Sequence, residues 1–178
     1  MTARAILRRR RRRQRPVVLA LAGLGVAILS LTPAERAMPW LVWNASASAP
    51  VGLYRMTDAP AERGALVLVR PSADMAALAA ERGYLPAGVP LIKRIAAVAG
   101  DHVCAVGSAA VLHTQTVVPR RETDASGRPL PRWSECRRLA DGEVFLLMAE
   151  APDSFDSRYF GPVPLASVMG RLVPLWTD

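Results

Sequence analysis

Lysine is almost missing from this chain. Among 23 basic side chains only one, Lys93, is a lysine, and the rest are arginines. Histidine is scarce as well, with only His102 and His113, and cysteine is limited to Cys104 and Cys136. These shortages exclude several chemistries. There is no HExxH and no CxxC, so the usual zinc frameworks are absent. The phosphate-binding loops GxGxxG and GxxxxGK[ST] and the GxSxG nucleophile elbow are also missing. Neither histidine stands in a pattern that links it to a serine, so a Ser-His-Asp triad has no support. No metal and no organic cofactor is implied.

Charge is unevenly placed. Residues 1–15 hold eight arginines (Arg4, Arg8 to Arg13, Arg15) and no acid, while beyond residue 15 basic and acidic side chains balance at 15 each. The formal charge of +8 therefore belongs to a tail. A nucleic-acid-binding domain carries its basic residues on the folded body, so no nucleic-acid partner is expected. An uncharged apolar run, Val17 to Leu31, follows the tail. At 1.5 Å per residue it spans about 22 Å as a helix, and about 27 Å if extended to Ala34, against a hydrocarbon core of about 30 Å. Flanking arginines reach the headgroups, and Trp40 and Trp43 suit the far interface. The run also fits a cleaved secretory signal, although Thr32-Pro33-Ala34, the nearby small-x-small site, has proline at its centre. We take it as an anchor. The positive-inside rule then gives a cytoplasmic tail (1–15), a transmembrane signal anchor (16–36) and a periplasmic β-rich domain (37–178), single-pass in the inner membrane. Membrane lipid is one expected partner.

Beyond the anchor the pattern is mostly strand. Val51 to Met56, Ala65 to Arg70, Pro90 to Val98, His102 to Val106, Ala110 to His113, Glu143 to Met148 and Gly170 to Pro174 read as strands. Ala73 to Arg82 reads as the one clear helix, ended by Gly83. Residues 119–142 are polar and arginine-rich and read as loop or a small excursion. Many short strands with little helix predict a mainly β, antiparallel fold. In an exported domain Cys104 and Cys136 are candidates for one disulfide; two buried free thiols are the other option.

Lys93 has an odd setting. In "LIKRIAAV" strand alternation puts it on the face of Leu91, Ile95 and Ala97. If that face is buried, the ammonium is poorly solvated and its pKa falls. A lysine can then serve as a general base, which an arginine cannot. A surface lysine on an edge strand is the alternative. "NASASAPVGLYR" (Asn44 to Arg55) is equally ambiguous, since its composition suits a linker as well as a loop that presents a serine.

Three stretches carry a resemblance. "PLIKRIAAVAGDHV" (Pro90 to Val103) resembles the lysine box of bacterial type I signal peptidases. "SFDSRYFGPVP" (Ser154 to Pro164) resembles their C-terminal box. "SASAPVGLY" (Ser46 to Tyr54) resembles their serine box in the form used by the TraF-like branch, conjugation-associated peptidases that process pilin precursors. The boxes occur in the family's order, and the resemblance spans residues 40–175. The Gly-Asp-Asn segment that usually opens the C-terminal box is missing, with Glu150-Ala151-Pro152-Asp153 in its place.

The resemblance implies a signal peptidase-type antiparallel β-sheet fold with an N-terminal transmembrane helix, and a serine endopeptidase with a Ser-Lys dyad. Ser48 aligns with the nucleophile and Lys93 with the base. The Ser48 N–H and the Ser46 hydroxyl align with the oxyanion donors. Ser154 aligns with a serine that orients the lysine, and Asp156 and Arg158 with a supporting salt bridge. Spacing of two on a strand would put that pair on one face. Leu53 and Tyr54 are expected beside the substrate cleft. The implied substrate is an exported precursor, a conjugative pilin that is cut and in some relatives cyclised. A general leader peptidase acting on secretory precursors is the nearest alternative. A LexA-like self-cleaving regulator and a non-catalytic export component are further ones.

Overall fold

The computed structural model describes residues 16–25, 39–112 and 116–178. The chain divides into two units, Met1–Met38 and Pro39–Asp178. In the first, residues 16–25 are helical (α1). Among the described residues no helix is long and apolar enough to cross a membrane. The arginine tail and residues 26–36 of the expected anchor lie outside the described residues, as does His113.

The second unit is mainly antiparallel β, as the residue pattern predicts. Its elements run β1 (Leu41–Asn44), β2 (Gly52–Thr57), β3 (Leu66–Val69), α2 (Ala73–Glu81), β4 (Leu91–Val98), β5 (His102–Val106), β6 (Ala109–Leu112), β7 (Val117–Pro119), β8 (Cys136–Arg138), β9 (Glu143–Leu147), α3 (Ser157–Phe160), β10 (Val163–Pro164) and β11 (Val168–Thr177). Seven strands form one sheet in the order β1-β2-β11-β3-β4-β9-β10, and four form another in the order β7-β6-β5-β8. The final strand, β11, is inserted between β2 and β3.

Composition explains which strands sit at the centre. β3 (LVLV) is buried at every position, and an uninterrupted apolar run is what burial on both faces requires. It pairs with β4, Val67 opposite Lys93 and Leu68 opposite Ile92. Val67, Val69, Ile95, Val144 and Leu146 pack in one core cluster, and Tyr54, Leu66, Leu68, Ile92 and Met148 in another. A third cluster joins the sheets, with Phe145 against Trp133, Val103 and Leu112. Helix α2 is capped by the Ser72 hydroxyl, which accepts from the Met75 N–H, as an N-cap serine should. It stops at Gly83, whose φ of +70° a glycine adopts without strain.

The structure corrects two expectations. β1, β7, β8 and β10 were not expected as strands, and the 119–142 stretch contains β8. β8 reads Cys-Arg-Arg and is at most half-buried, so it lacks the apolar alternation that marks a strand. It is held by pairing to β5, where Cys136 lies directly opposite Cys104, and the two cysteines form a disulfide. Trp43 stacks on Trp176 at the end of β11, ring centroids 5.9 Å apart, and both rings stay more than half exposed. Asp156 and Arg158 are not on a strand: Asp156 is the N-cap of α3 and Arg158 lies in its first turn.

Candidate active site

The sequence around the serines folds as a tight loop. β1 and β2 are antiparallel partners, with Asn44 opposite Gly52, so residues 45–51 must close a loop over one cross-strand pair. Two features shape it. Gly52 has φ +152°, and a Cβ there would meet the Trp176 carbonyl oxygen at 2.1 Å; only glycine allows β11 so near. Tyr54, buried in the core, donates its hydroxyl to the Pro50 carbonyl at 2.6 Å. The stretch is therefore not a spacer. Tyr54 and Pro50 also line a cavity of about 340 Å³ with Leu66, Arg94 and Leu172. A second cavity of about 260 Å³ lies around Arg120, Arg132 and Tyr159, and neither cavity is lined by Ser48 or Lys93.

Asn44, which the sequence reading passed over, organises the loop. Its side chain is 5% exposed. Nδ2 lies 3.0 Å from the carbonyl oxygens of Ser46, Ala49 and Pro50, and its two hydrogens are shared among the three. Oδ1 accepts from the Ser46 N–H and the Ser46 hydroxyl, both at 3.0 Å. An asparagine at a strand end with a serine two residues on is an Asx-turn signature, and that signal was available in the sequence.

Lys93 is buried, 3% exposed, on β4. The surface alternative therefore does not hold. Its Nζ donates to Ser154 Oγ at 2.7 Å and to Ser48 Oγ at 3.4 Å. Ser46 Oγ lies 3.1 Å from Ser48 Oγ. The structure thus brings Ser46, Ser48, Lys93 and Ser154 into one hydrogen-bonded chain. Loss of hydration on burial pushes the Lys93 amine down to about 8; the Asp156 carboxylate opposes this and the Arg158 guanidinium adds to it.

Asp156 and Arg158 hold the Ser154 segment from beneath. Both are fully buried. Arg158 pairs two-pronged with the carboxylate, Nε to Oδ1 at 2.8 Å and Nη2 to Oδ2 at 2.9 Å. Oδ2 also accepts from the Met148 N–H at 3.1 Å. Arg158 Nη2 reaches the carbonyls of Met148, Ala151 and Ser154 at 3.3, 2.8 and 3.4 Å. A planar guanidinium presents several fixed donors at once, so one side chain fastens both ends of the 148–154 turn. That turn carries Ser154 to Lys93.

The model of the family described as signal peptidase, peptidase S26, matches residues 13–176. The chain belongs to this signal peptidase family. Among its relatives, a plasmid transfer protein TraF of Escherichia coli is 37% identical over 145 residues, covering 75% of this chain and 81% of that protein. A probable conjugal transfer protein TraF of Sinorhizobium fredii (strain NBRC 101917 / NGR234) is 34% identical over 175 residues, covering 92% and 91%. The crystal structure of a signal peptidase I from Enterococcus faecalis V583 aligns at 20% identity with a TM-score of 0.39, over 66% of this chain and 100% of that one. Family membership gives the fold its signal peptidase type and the chain its class, a serine peptidase acting on exported precursors.

Proposed function

We propose that this signal peptidase family member is a membrane-anchored serine endopeptidase with a Ser48–Lys93 dyad, processing an exported conjugative pilin precursor. The observation that carries the reading is a buried lysine within 3.4 Å of the Ser48 hydroxyl, with its amine brought down to about 8. At neutral pH a usable fraction of that amine is unprotonated, which a general base needs. As Ser48 Oγ attacks the scissile carbonyl, neutral Lys93 takes its proton and later returns it to the leaving amine. The Ser48 N–H, with the Ser46 hydroxyl, supports the oxyanion. The Lys93–Ser154 hydrogen bond orients the base, and the Asp156–Arg158 pair fixes Ser154.

The acyl-enzyme is resolved by water, or by the substrate's own amino terminus to give a cyclic product. The plasmid transfer and conjugal transfer names of the relatives favour a pilin over general secretory precursors. On this reading residues 1–15 are cytoplasmic, 16–36 anchor the chain in the inner membrane, and 37–178 work in the periplasm beside bilayer-held substrates.

Co-expression with a tagged candidate pilin tests the proposal. Precursor processing is expected with wild type and is expected to be lost with Ser48→Ala and with Lys93→Arg. Arginine keeps the charge and cannot act as base, so normal processing by Lys93→Arg would refute the dyad. The mass of the product separates hydrolysis from cyclisation, which differ by one water.

A further inference from the structure

We propose that Asn44 is a positioning residue that sets the direction of the Ser46 and Ser48 hydroxyl hydrogens and holds Ser46 in reserve as an oxyanion donor. This rests on the peptidase reading above and deepens it. The amide orientation is fixed by its surroundings. Nδ2 faces three carbonyl oxygens, and Oδ1 faces the Ser46 N–H. A flipped amide would set an oxygen against three oxygens and an NH₂ against an N–H.

Oδ1 carries no hydrogen, so the Ser46 hydroxyl is the donor in the 3.0 Å contact between them. A hydroxyl has one hydrogen. The 3.1 Å contact between Ser46 and Ser48 is then a hydrogen bond only with Ser48 as donor. At rest the Ser48 hydrogen points at Ser46, and Lys93 Nζ faces a Ser48 lone pair. That is the arrangement a protonated lysine needs, since an ammonium only donates.

Firing the site takes two rotations. Once Lys93 is neutral, the Ser48 hydrogen turns to Nζ. As charge grows on the carbonyl oxygen, the Ser46 hydrogen leaves Oδ1 for it, because an anionic oxygen is the stronger acceptor. Asparagine suits this task where aspartate does not. A carboxylate has no hydrogens for the three carbonyls, and its charge would retain the Ser46 hydrogen.

The test uses the full chain in detergent with p-nitrophenyl acetate. Ser48 Oγ bonds to the acetyl carbon, the bond to nitrophenolate breaks, and the Ser48 proton passes to Lys93. Nitrophenolate release gives the rate, mass spectrometry locates the acetyl group, and Ser48→Ala supplies the background. Asn44→Ala is expected to slow acylation about 100-fold and Ser46→Ala about 10-fold. The double variant is expected to be no slower than Asn44→Ala alone, because an unpositioned donor contributes nothing further. Asn44→Asp is expected to be slow too, with its rate rising at a higher pH than wild type, since a new negative charge near Lys93 favours the ammonium.

If Asn44→Ala does not fold, Asn44→Asp and its Ser46→Ala double variant decide the question. Wild-type rates in the Asn44 variants, or losses that multiply in the double variant, would overturn the inference alone. Equal rates for wild type and Ser48→Ala would overturn the peptidase reading and this inference with it.

Discussion

Replacing Lys93 by methionine should stabilise the protein while destroying its activity. A lysine whose amine ionises near pH 8 in the fold and near 10.5 in the unfolded chain carries about 3 kcal/mol of charge-burial cost at pH 7. Methionine fills similar space without charge. The Lys93–Ser154 hydrogen bond is lost, which costs about 1 kcal/mol or somewhat more because Ser154 is buried. Asp156 keeps Arg158 as its partner, so no buried carboxylate is left unpaired. The net gain at pH 7 is therefore about 1–2 kcal/mol. The pH dependence is the sharper readout. Below pH 8 both folded and unfolded chains hold the proton, and the full cost is present. Between 8 and 10.5 only the unfolded chain holds it, so wild-type stability rises with pH through that window. Above 10.5 the cost is gone. Urea unfolding of wild type and Lys93→Met from pH 7 to 11 measures the difference. Lys93 is the sole lysine and both cysteines are bridged, so few other side chains titrate there, and those cancel between the two proteins. A gap between the two proteins that stays constant with pH, or a methionine variant much weaker at pH 7, would refute the account of Lys93 as a buried, desolvated amine.

Peptide cleavage by wild type should rise with pH and level off above about 8, where the Lys93 amine is neutral; in Asp156→Asn the rise should begin at lower pH, because the carboxylate that favours the ammonium is gone. A profile falling over pH 6–8 would contradict a lysine base. Serine at both Cys104 and Cys136 should cost about 3–4 kcal/mol by the loop-entropy argument, for a bridge whose ends are 32 residues apart, read from urea midpoints of oxidised wild type and variant. Gly52→Ala should lower stability by about 2 kcal/mol or more, since φ is +152° and the Trp176 carbonyl blocks the Cβ; a variant as stable as wild type would show that β11 can retreat.

Where sequence alone was informative, a local rule and the tertiary environment agreed. Alternation placed Lys93 with Leu91 and Ile95, and all three are buried; it failed at Ala97, where a register shift after Ile95 sends Ala97 into the cluster of Phe145 and Trp133. β3 and the Val144 to Leu147 stretch of β9 were legible because a strand buried on both faces must be apolar there. The rule failed where a strand is held by something other than its own pattern. β8 is an arginine-bearing strand secured by pairing to β5 and by a disulfide, and neither leaves a mark on its hydropathy. Asp156 and Arg158 were expected to meet across one strand face, yet they meet through a helix cap, because a bidentate pair needs only nearness and adds no periodicity. Asn44 shows a third kind of failure. Asparagine before Ser-Ala-Ser reads as turn chemistry, and it is turn chemistry, with Oδ1 accepting from the backbone N–H two residues on. What composition cannot show is that the same amide also takes up the Ser46 hydroxyl and three carbonyls. The loop looks like a linker because its residues are small and polar. Those same properties let five hydrogen bonds converge on one side chain and leave Ser48 facing Lys93.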